Sequence, residues 1–285
     1  MNKMKKYITI ALLSGAFLTS CGEYNKVLKS MNYVYQYEAA KSYFGDGKYT
    51  KAASLLEGLT NILKGTEDAE ESLYMLAMCY YNQGDYVTAS HYFTTYYNTY
   101  PRGVFTELAR YHSGKALFLD TPEPKLDQSS TYSAISELQM FMEYYPESKR
   151  KTEAQVMIFA LQDKLVMKDY LAAKLYYDLG SYNGNASMTA DGRINGNNYL
   201  ACITTAQNAL KDYPYTSMRE EISILLLRAK HKLGSESVLE KKEERMREAI
   251  DEYYAFKNEF PESKYMKEVE NMYKDASKYV RELNE

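Results

Sequence analysis

Leu73-Tyr74-Met75-Leu76-Ala77-Met78-Cys79-Tyr80, followed by Gly84-Asp85-Tyr86, then Ala89, Phe93 and Tyr100-Pro101, is the stretch that decides the fold. Residues 73, 76, 77 and 80 recur at the three-and-four spacing that lines one face of a helix. Gly84-Asp85-Tyr86 supplies a turn. The segment after it carries Ala89 and Phe93 and stops at Pro101, whose ring cannot continue a helix. Small side chains at Ala77 and Ala89 let two helices approach, while Tyr80 and Phe93 fill the space between them. The prediction is a helix-turn-helix hairpin.

The same punctuation recurs along the chain. Four of the six prolines follow an aromatic residue, at Tyr100-Pro101, Tyr145-Pro146, Tyr213-Pro214 and Phe260-Pro261, while Pro122 and Pro124 lie together in a polar stretch. Twelve residues before each of the four sits a small residue: Ala89, Ala134, Cys202 and Ala249. That offset is about three helical turns, so each unit reads as a helix that packs closely at a small residue and ends at a proline. The pattern resembles the tetratricopeptide (TPR) repeat, a helix-turn-helix unit that stacks on copies of itself. An earlier copy carries Ala40, Tyr43, Gly47-Lys48-Tyr49, Ala52 and Leu56, with Lys64 where the proline would stand. A third keeps Gly114, Leu117, Ala134, Leu138 and Pro146, with its turn enlarged over Thr121 to Ser130. A fourth pairs Ala173 and Tyr176 with Cys202 across a polar loop near Asn183 to Asn198. The fifth has Met218 to Leu233 as a poorly matched first helix, then Ala249, Tyr253 and Pro261. Ser263 can cap a final helix. The expected architecture is all-α, a TPR-like superhelix of five helix pairs plus a C-terminal helix, with repeats 1–3 over residues 33–147 and repeats 4–5 with the closing helix over 148–285.

Composition agrees with this and excludes other classes. The chain has 285 residues, with 31 Tyr, no Trp, only 14 Gly and 6 Pro, and a net charge of −3. Few helix breakers and 26% charged residues favour helices. No Lys/Arg stripe appears, so the electrostatic basis of nucleic-acid binding is missing.

The first twenty residues read as an address. Lys3, Lys5 and Lys6 precede the short apolar run Tyr7 to Phe17, too short to span a bilayer as a helix. Leu18-Thr19-Ser20-Cys21 then resembles the bacterial lipobox, which implies cleavage before Cys21 and acylation of its thiol. Residues 21–32 would form the lipidated tether. Removing residues 1–20 takes away three lysines and no acid, moving the net charge from −3 to −6. Gly22 and the stretch to Lys26 favour the inner leaflet of the outer membrane, facing the periplasm. Cys79 and Cys202 could form a disulfide in that compartment, but both fall where helix packing wants small apolar residues. They read as buried free thiols.

Aligned first helices produce three rows at a 37-residue step: Tyr37, Tyr74 and Tyr111; Phe44, Tyr81 and Phe118; Lys41, Met78 and Lys115. The TPR resemblance implies that these positions line the inner face of the repeat stack. Two aromatic ladders beside a partly basic row would suit an extended peptide with spaced aromatic side chains; the alternative is that the rings pack neighbouring repeats together. Catalytic patterns are absent. His91, His112 and His231 lie in different repeats without metal-ligand spacing and read as helix-surface or half-buried residues, and no cofactor motif occurs. Adjacent carboxylates such as Glu70-Glu71 point about 100° apart on a helix and make no acid/base pair. Glu67 to Glu71 after Thr66 suit a capped helix start.

The lipobox, five TPR-like units, the opening Tyr24-Asn25-Lys26-Val27-Leu28-Lys29-Ser30, and Ala209-Leu210-Lys211-Asp212-Tyr213-Pro214 together resemble the BamD family in its Bacteroidota form. These are TPR lipoprotein subunits of the outer-membrane β-barrel assembly machinery. The resemblance implies a scaffold whose C-terminal repeats dock on the POTRA domains of the barrel-forming subunit, BamA, with Tyr213, Arg219 and Arg228 as the residues available for that contact. It also implies that the N-terminal repeats receive the aromatic-rich C-terminal segment of unfolded outer-membrane proteins, with Lys41 or Lys115 near its carboxylate. A glycan-binding, SusD-like TPR lipoprotein would share the anchor and helix pairs, but stacks sugars on Trp. Another periplasmic TPR adaptor also remains open.

Overall fold

The computed structural model describes residues 22–181 and 197–282, so residues 1–20, read above as a signal segment, Cys21 and most of the Asn183 to Asn198 loop lie outside the described residues. The described residues form helices joined by turns: α1 Tyr33–Gly45, α2 Tyr49–Ile62, α3 Asp68–Gln83, α4 Tyr86–Thr99, α5 Thr106–Asp120, α6 Ser129–Tyr144, α7 Lys151–Leu179, α8 Asn198–Asp212, α9 Arg219–Ser235, α10 Leu239–Glu259 and α11 Met266–Glu282. Successive helices pack on each other from α1 to α6 and from α8 to α11. The fold is an all-α array of TPR-like helix hairpins.

The aromatic-proline steps do what their chemistry requires. Tyr100, Tyr213 and Phe260 each cap a helix with φ between −120° and −128° and ψ of 61–68°. That conformation lies outside the helical region a following proline disfavours. Their N–H groups still donate to Tyr96, Ala209 and Phe256 at 2.8, 3.0 and 2.8 Å, closing the last turn. The small residues twelve positions earlier, Ala89, Ala134, Cys202 and Ala249, are all buried. At Gly114 the helices approach so closely that a Cβ there would stand 2.7 Å from Leu138 Cδ2. In the first repeat, where Lys64 replaces the proline, the exit is made by Gly65 at φ 83°, a left-handed conformation that glycine adopts without steric cost.

A second regularity holds the turns after the prolines. A carboxylate from the first helix of every hairpin after the first reaches the segment that leaves its second helix. Glu70 accepts from Val104 N at 2.5 Å and from Tyr96 Oη. Glu107 accepts from Ser148 Oγ at 2.6 Å. Asp163 accepts from Thr216 Oγ1 at 2.7 Å, Ser217 N at 3.1 Å and Ser217 Oγ at 2.7 Å. Glu221 accepts from Lys264 Nζ at 2.9 Å and Tyr265 Oη at 2.8 Å. These acids serve the next loop, and Glu70, Glu107 and Glu221 do so from the first turn of their own helices. Thr66 departs from the expected cap, because its hydroxyl donates back to Leu63 O at 2.7 Å. Ser263 accepts from Tyr265 N at 3.0 Å, a bond in the turn just before the last helix rather than a cap on its first turn.

The chain divides into two compact units: residues 22–121 with 129–158, and residues 122–128 with 159–282. The division falls inside α7. The first unit has its core in Ala40, Ala52, Leu56, Leu76 and Cys79, continued by Ala77, Ala89, Phe93 and Tyr96. Residues 22–28 are helical and belong to it, with Val27 buried in that core. In the second unit Ala173, Cys202, Ala206, Leu225 and Ala229 pack together. Tyr176, expected to join Cys202, points outward at 37% exposed; its neighbour Tyr177 packs on Tyr199 instead, centroids 5.9 Å apart. One residue is a 100° turn of helix, which is enough to exchange core and solvent. Cys79 and Cys202 are free and buried, and desolvation pushes both thiols up to about 12.

Candidate functional site

The three rows differ in how open they are. Tyr37 and Tyr111 are each 2% exposed. Tyr37 Oη donates to Glu71 Oε2 of the next repeat at 2.9 Å, and the Tyr111 ring packs edge-on against Phe141 at 5.5 Å. These two rings fill the space between and within repeats and offer no open face to a ligand. Tyr74, half-buried, stacks on Phe105 at 4.6 Å, and desolvation raises its phenol to about 12. Phe44, Tyr81 and Phe118 are all half-buried, as are Lys41, Met78 and Lys115. The second aromatic row and the basic row thus keep one side accessible while their other side is fixed by packing. Phe44 meets Tyr49 at 5.6 Å, and Tyr81 meets Tyr86 at 5.6 Å and His112 at 5.4 Å.

Charge gathers beside the third repeat. Lys115 Nζ lies 2.8 Å from Glu153 Oε1 and 3.4 Å from Tyr111 Oη, and the Arg150 guanidinium sits 5.6 Å over the Tyr111 ring. The Glu153 bond holds the Lys115 ammonium above its ordinary value, and Lys115 lowers the Glu153 carboxyl in return. Lys41 pairs with Glu38 at 2.6 Å and lies 4.7 Å over Tyr37. Arg150 and Glu153 come from the start of α7 and escape the 37-residue period, so spacing could not reveal them. His112 also belongs here. Burial, then the positive charges of Lys115 and Arg150, lower its imidazole to about 4. Its Nδ1 has no hydrogen-bond partner among the described residues, and the ring stacks on Phe93 at 5.5 Å. His91 is exposed and His231 half-buried.

The residues expected to meet a partner in the second unit are not gathered at one point. Tyr213 is half-buried and lines a cleft of about 520 Å³ with Phe159, Pro214 and Tyr215. Arg219 pairs with Glu259 and reaches Pro214 O at 3.4 Å. Arg228 lies nine residues further along α9, about 13 Å. It is held by both oxygens of Glu268 at 2.7 Å and faces a separate cleft of about 340 Å³ with Tyr177, His231 and Asp275. Among the described residues, no helix is long and apolar enough to cross a membrane, and no group of three or more His, Cys, Asp or Glu side chains could hold a metal.

Helix hairpins with an aromatic, partly basic face define a repeat scaffold. Residues 29–245 match the family described as YfiO, outer membrane lipoprotein, and the chain belongs to that family. The chain is therefore an outer-membrane-associated lipoprotein relative of the assembly machinery. Among solved structures, two crystal structures of the nearly identical TPR-like repeats of a kinesin light chain from Podosopora anserina, one of them a point variant, are similar, each at 14% identity and a TM-score of 0.31. Each match covers 80% of this chain, and 95% or 96% of the other.

Proposed function

We propose that the chain is a lipid-anchored scaffold subunit of the outer-membrane β-barrel assembly complex. It binds BamA through POTRA domains and holds unfolded client C-terminal segments, from the periplasmic side of the outer membrane. The observation that carries this reading is the family match over residues 29–245, beside the lipobox-like Leu18-Thr19-Ser20-Cys21.

The client groove is read from the rows. Phe44, Tyr81 and Phe118 receive aromatic side chains, flanked by Lys41, Met78 and Lys115, while Tyr37, Tyr74 and Tyr111 build the floor beneath. Lys115 with nearby Arg150 is the better seat for a terminal carboxylate, since the two cations lie beside one aromatic ring. Each ring buried by a peptide contributes about 1.5–3 kcal/mol before ordering costs. The test titrates a peptide from the C-terminus of a barrel protein against the double variant Tyr81→Ala/Phe118→Ala. Affinity is expected to fall by about tenfold or more, with circular dichroism unchanged. Equal affinity in a folded variant removes the groove. Co-purification from solubilised outer membranes tests the partner: a barrel subunit carrying POTRA domains supports assembly, and recovery of a sugar transporter instead would replace this reading with glycan uptake.

A further inference from the structure

The N-terminal edge of the first unit carries apolar side chains that the fold leaves uncovered. Met31 is 84% and Val34 72% exposed, and Leu28, Tyr33 and Tyr35 are exposed beside them. Met31 immediately precedes Asn32, the N-cap of α1, whose side chain accepts from Tyr35 N at 3.0 Å. An apolar residue at that position ordinarily folds onto the fourth residue of the helix. Here that residue is Gln36, whose side-chain amide is committed to three carbonyls: Val27 O at 3.2 Å, Leu28 O at 3.1 Å and Ser30 O at 2.8 Å. Met31 is thereby left without that apolar partner.

The same three bonds fasten residues 27–30 to α1, Val27 is buried in the core, and Tyr24 packs edge-on against Tyr43 at 5.8 Å. The helical residues 22–28 therefore join the fold with little slack, starting one residue after Cys21. Seven helical residues span about 10 Å, less than half the thickness of a bilayer core. Lys26 and Lys29 are exposed in residues 22–30 against the single acid Glu23, an excess of positive charge that suits anionic headgroups.

We propose that Leu28, Met31, Val34 and the flanking Tyr33 and Tyr35 form a contact with the phospholipid surface to which Cys21 is anchored, seating the first unit on the bilayer. The proposal rests on the reading of Cys21 as acylated. Acyl chains at Cys21 tether the chain without fixing its orientation; apolar side chains at the surface, with Lys26 and Lys29 beside them, add buried area and headgroup attraction that would.

The chain has no Trp, so Met31→Trp introduces a lone reporter at an exposed position. Val87→Trp is the control. Val87 is exposed and lies at the opposite end of the hairpins, where Thr50 Oγ1 meets Gln83 Oε1 at 2.9 Å, whereas Tyr37 meets Glu71 at the end that carries the patch. Each full-length variant is expressed in a host that processes lipoproteins, weighed by mass spectrometry, and reconstituted in phosphatidylethanolamine and phosphatidylglycerol vesicles containing a brominated acyl-chain lipid. The expected result is an acylated chain in which indole emission from Met31→Trp is quenched several-fold more than emission from Val87→Trp. An acylated chain with equal quenching in both variants overturns the membrane contact alone. A mature chain without acyl mass overturns the acylation reading, and the contact with it.

Discussion

His112 shows how one side chain records its surroundings. Its imidazole is lowered to about 4 first by burial and then by Lys115 and Arg150, so it is neutral in the folded chain at neutral pH. Below the ordinary value of 6.5 the unfolded chain takes up a proton that the folded chain refuses. Stability contributed by the neutral ring is therefore complete above about pH 6.5 and falls as pH drops towards 4, by up to about 3 kcal/mol. The Nδ1 atom also lacks a hydrogen-bond partner among the described residues, a cost that a ring of similar shape without polar atoms avoids. His112→Phe, which keeps the stack on Phe93, is expected to match or exceed the parent in stability at neutral pH. It should also lose most of this group's pH dependence between 6.5 and 4. Urea denaturation at several pH values measures both. An unchanged slope would mean that carboxylates alone govern the acid limb.

At the scale of elements, carboxylates act as clamps on the turns that follow the aromatic-proline steps. Asp163 makes three bonds to Thr216 and Ser217 and so fixes the segment carrying Tyr213 and the exposed Tyr215. Asp163→Ala leaves these donors to water and is expected to cost about 1–3 kcal/mol. Amide exchange should quicken at residues 215–218 while the interior of α8 stays protected, and Asp163→Asn should lie between. The hairpins themselves are legible in the sequence. Ala89, Ala134, Cys202 and Ala249 stand twelve residues before their prolines, and all are buried. The clamps are not legible, because their partners in the turns lie 34 to 54 residues away at offsets that differ from repeat to repeat. For the same reason the 37-residue period finds the ladder positions without telling which rings are open. Tyr37 is closed by Glu71 and Tyr111 by Phe141, and each closing residue belongs to another helix. The expectation for Tyr176 misses by one residue, the resolution at which a helical face is read from apolar spacing alone.

For the whole molecule, two compact units with separate cores imply that two binding tasks can be separated by mutation. The proposed client groove lies in the first unit and the proposed POTRA contact in the second. Arg228→Glu reverses a charge that Glu268 holds in a bidentate pair, and two acids would then face each other. If Arg228 meets the barrel subunit, the variant should lose co-purification with that subunit while its peptide affinity stays within about twofold, since sites without shared partners act nearly additively. Tyr81→Ala/Phe118→Ala should do the reverse, losing peptide and keeping the subunit. Glu268→Gln is needed beside them, because it removes the ion pair but leaves the cation. Retained co-purification with Glu268→Gln and loss with Arg228→Glu would assign the contact to the guanidinium itself. Loss in both would assign it to the local order of α9 and α11. Simultaneous loss of peptide and subunit in either the groove or the Arg228 variant would mean that the two units do not divide the work.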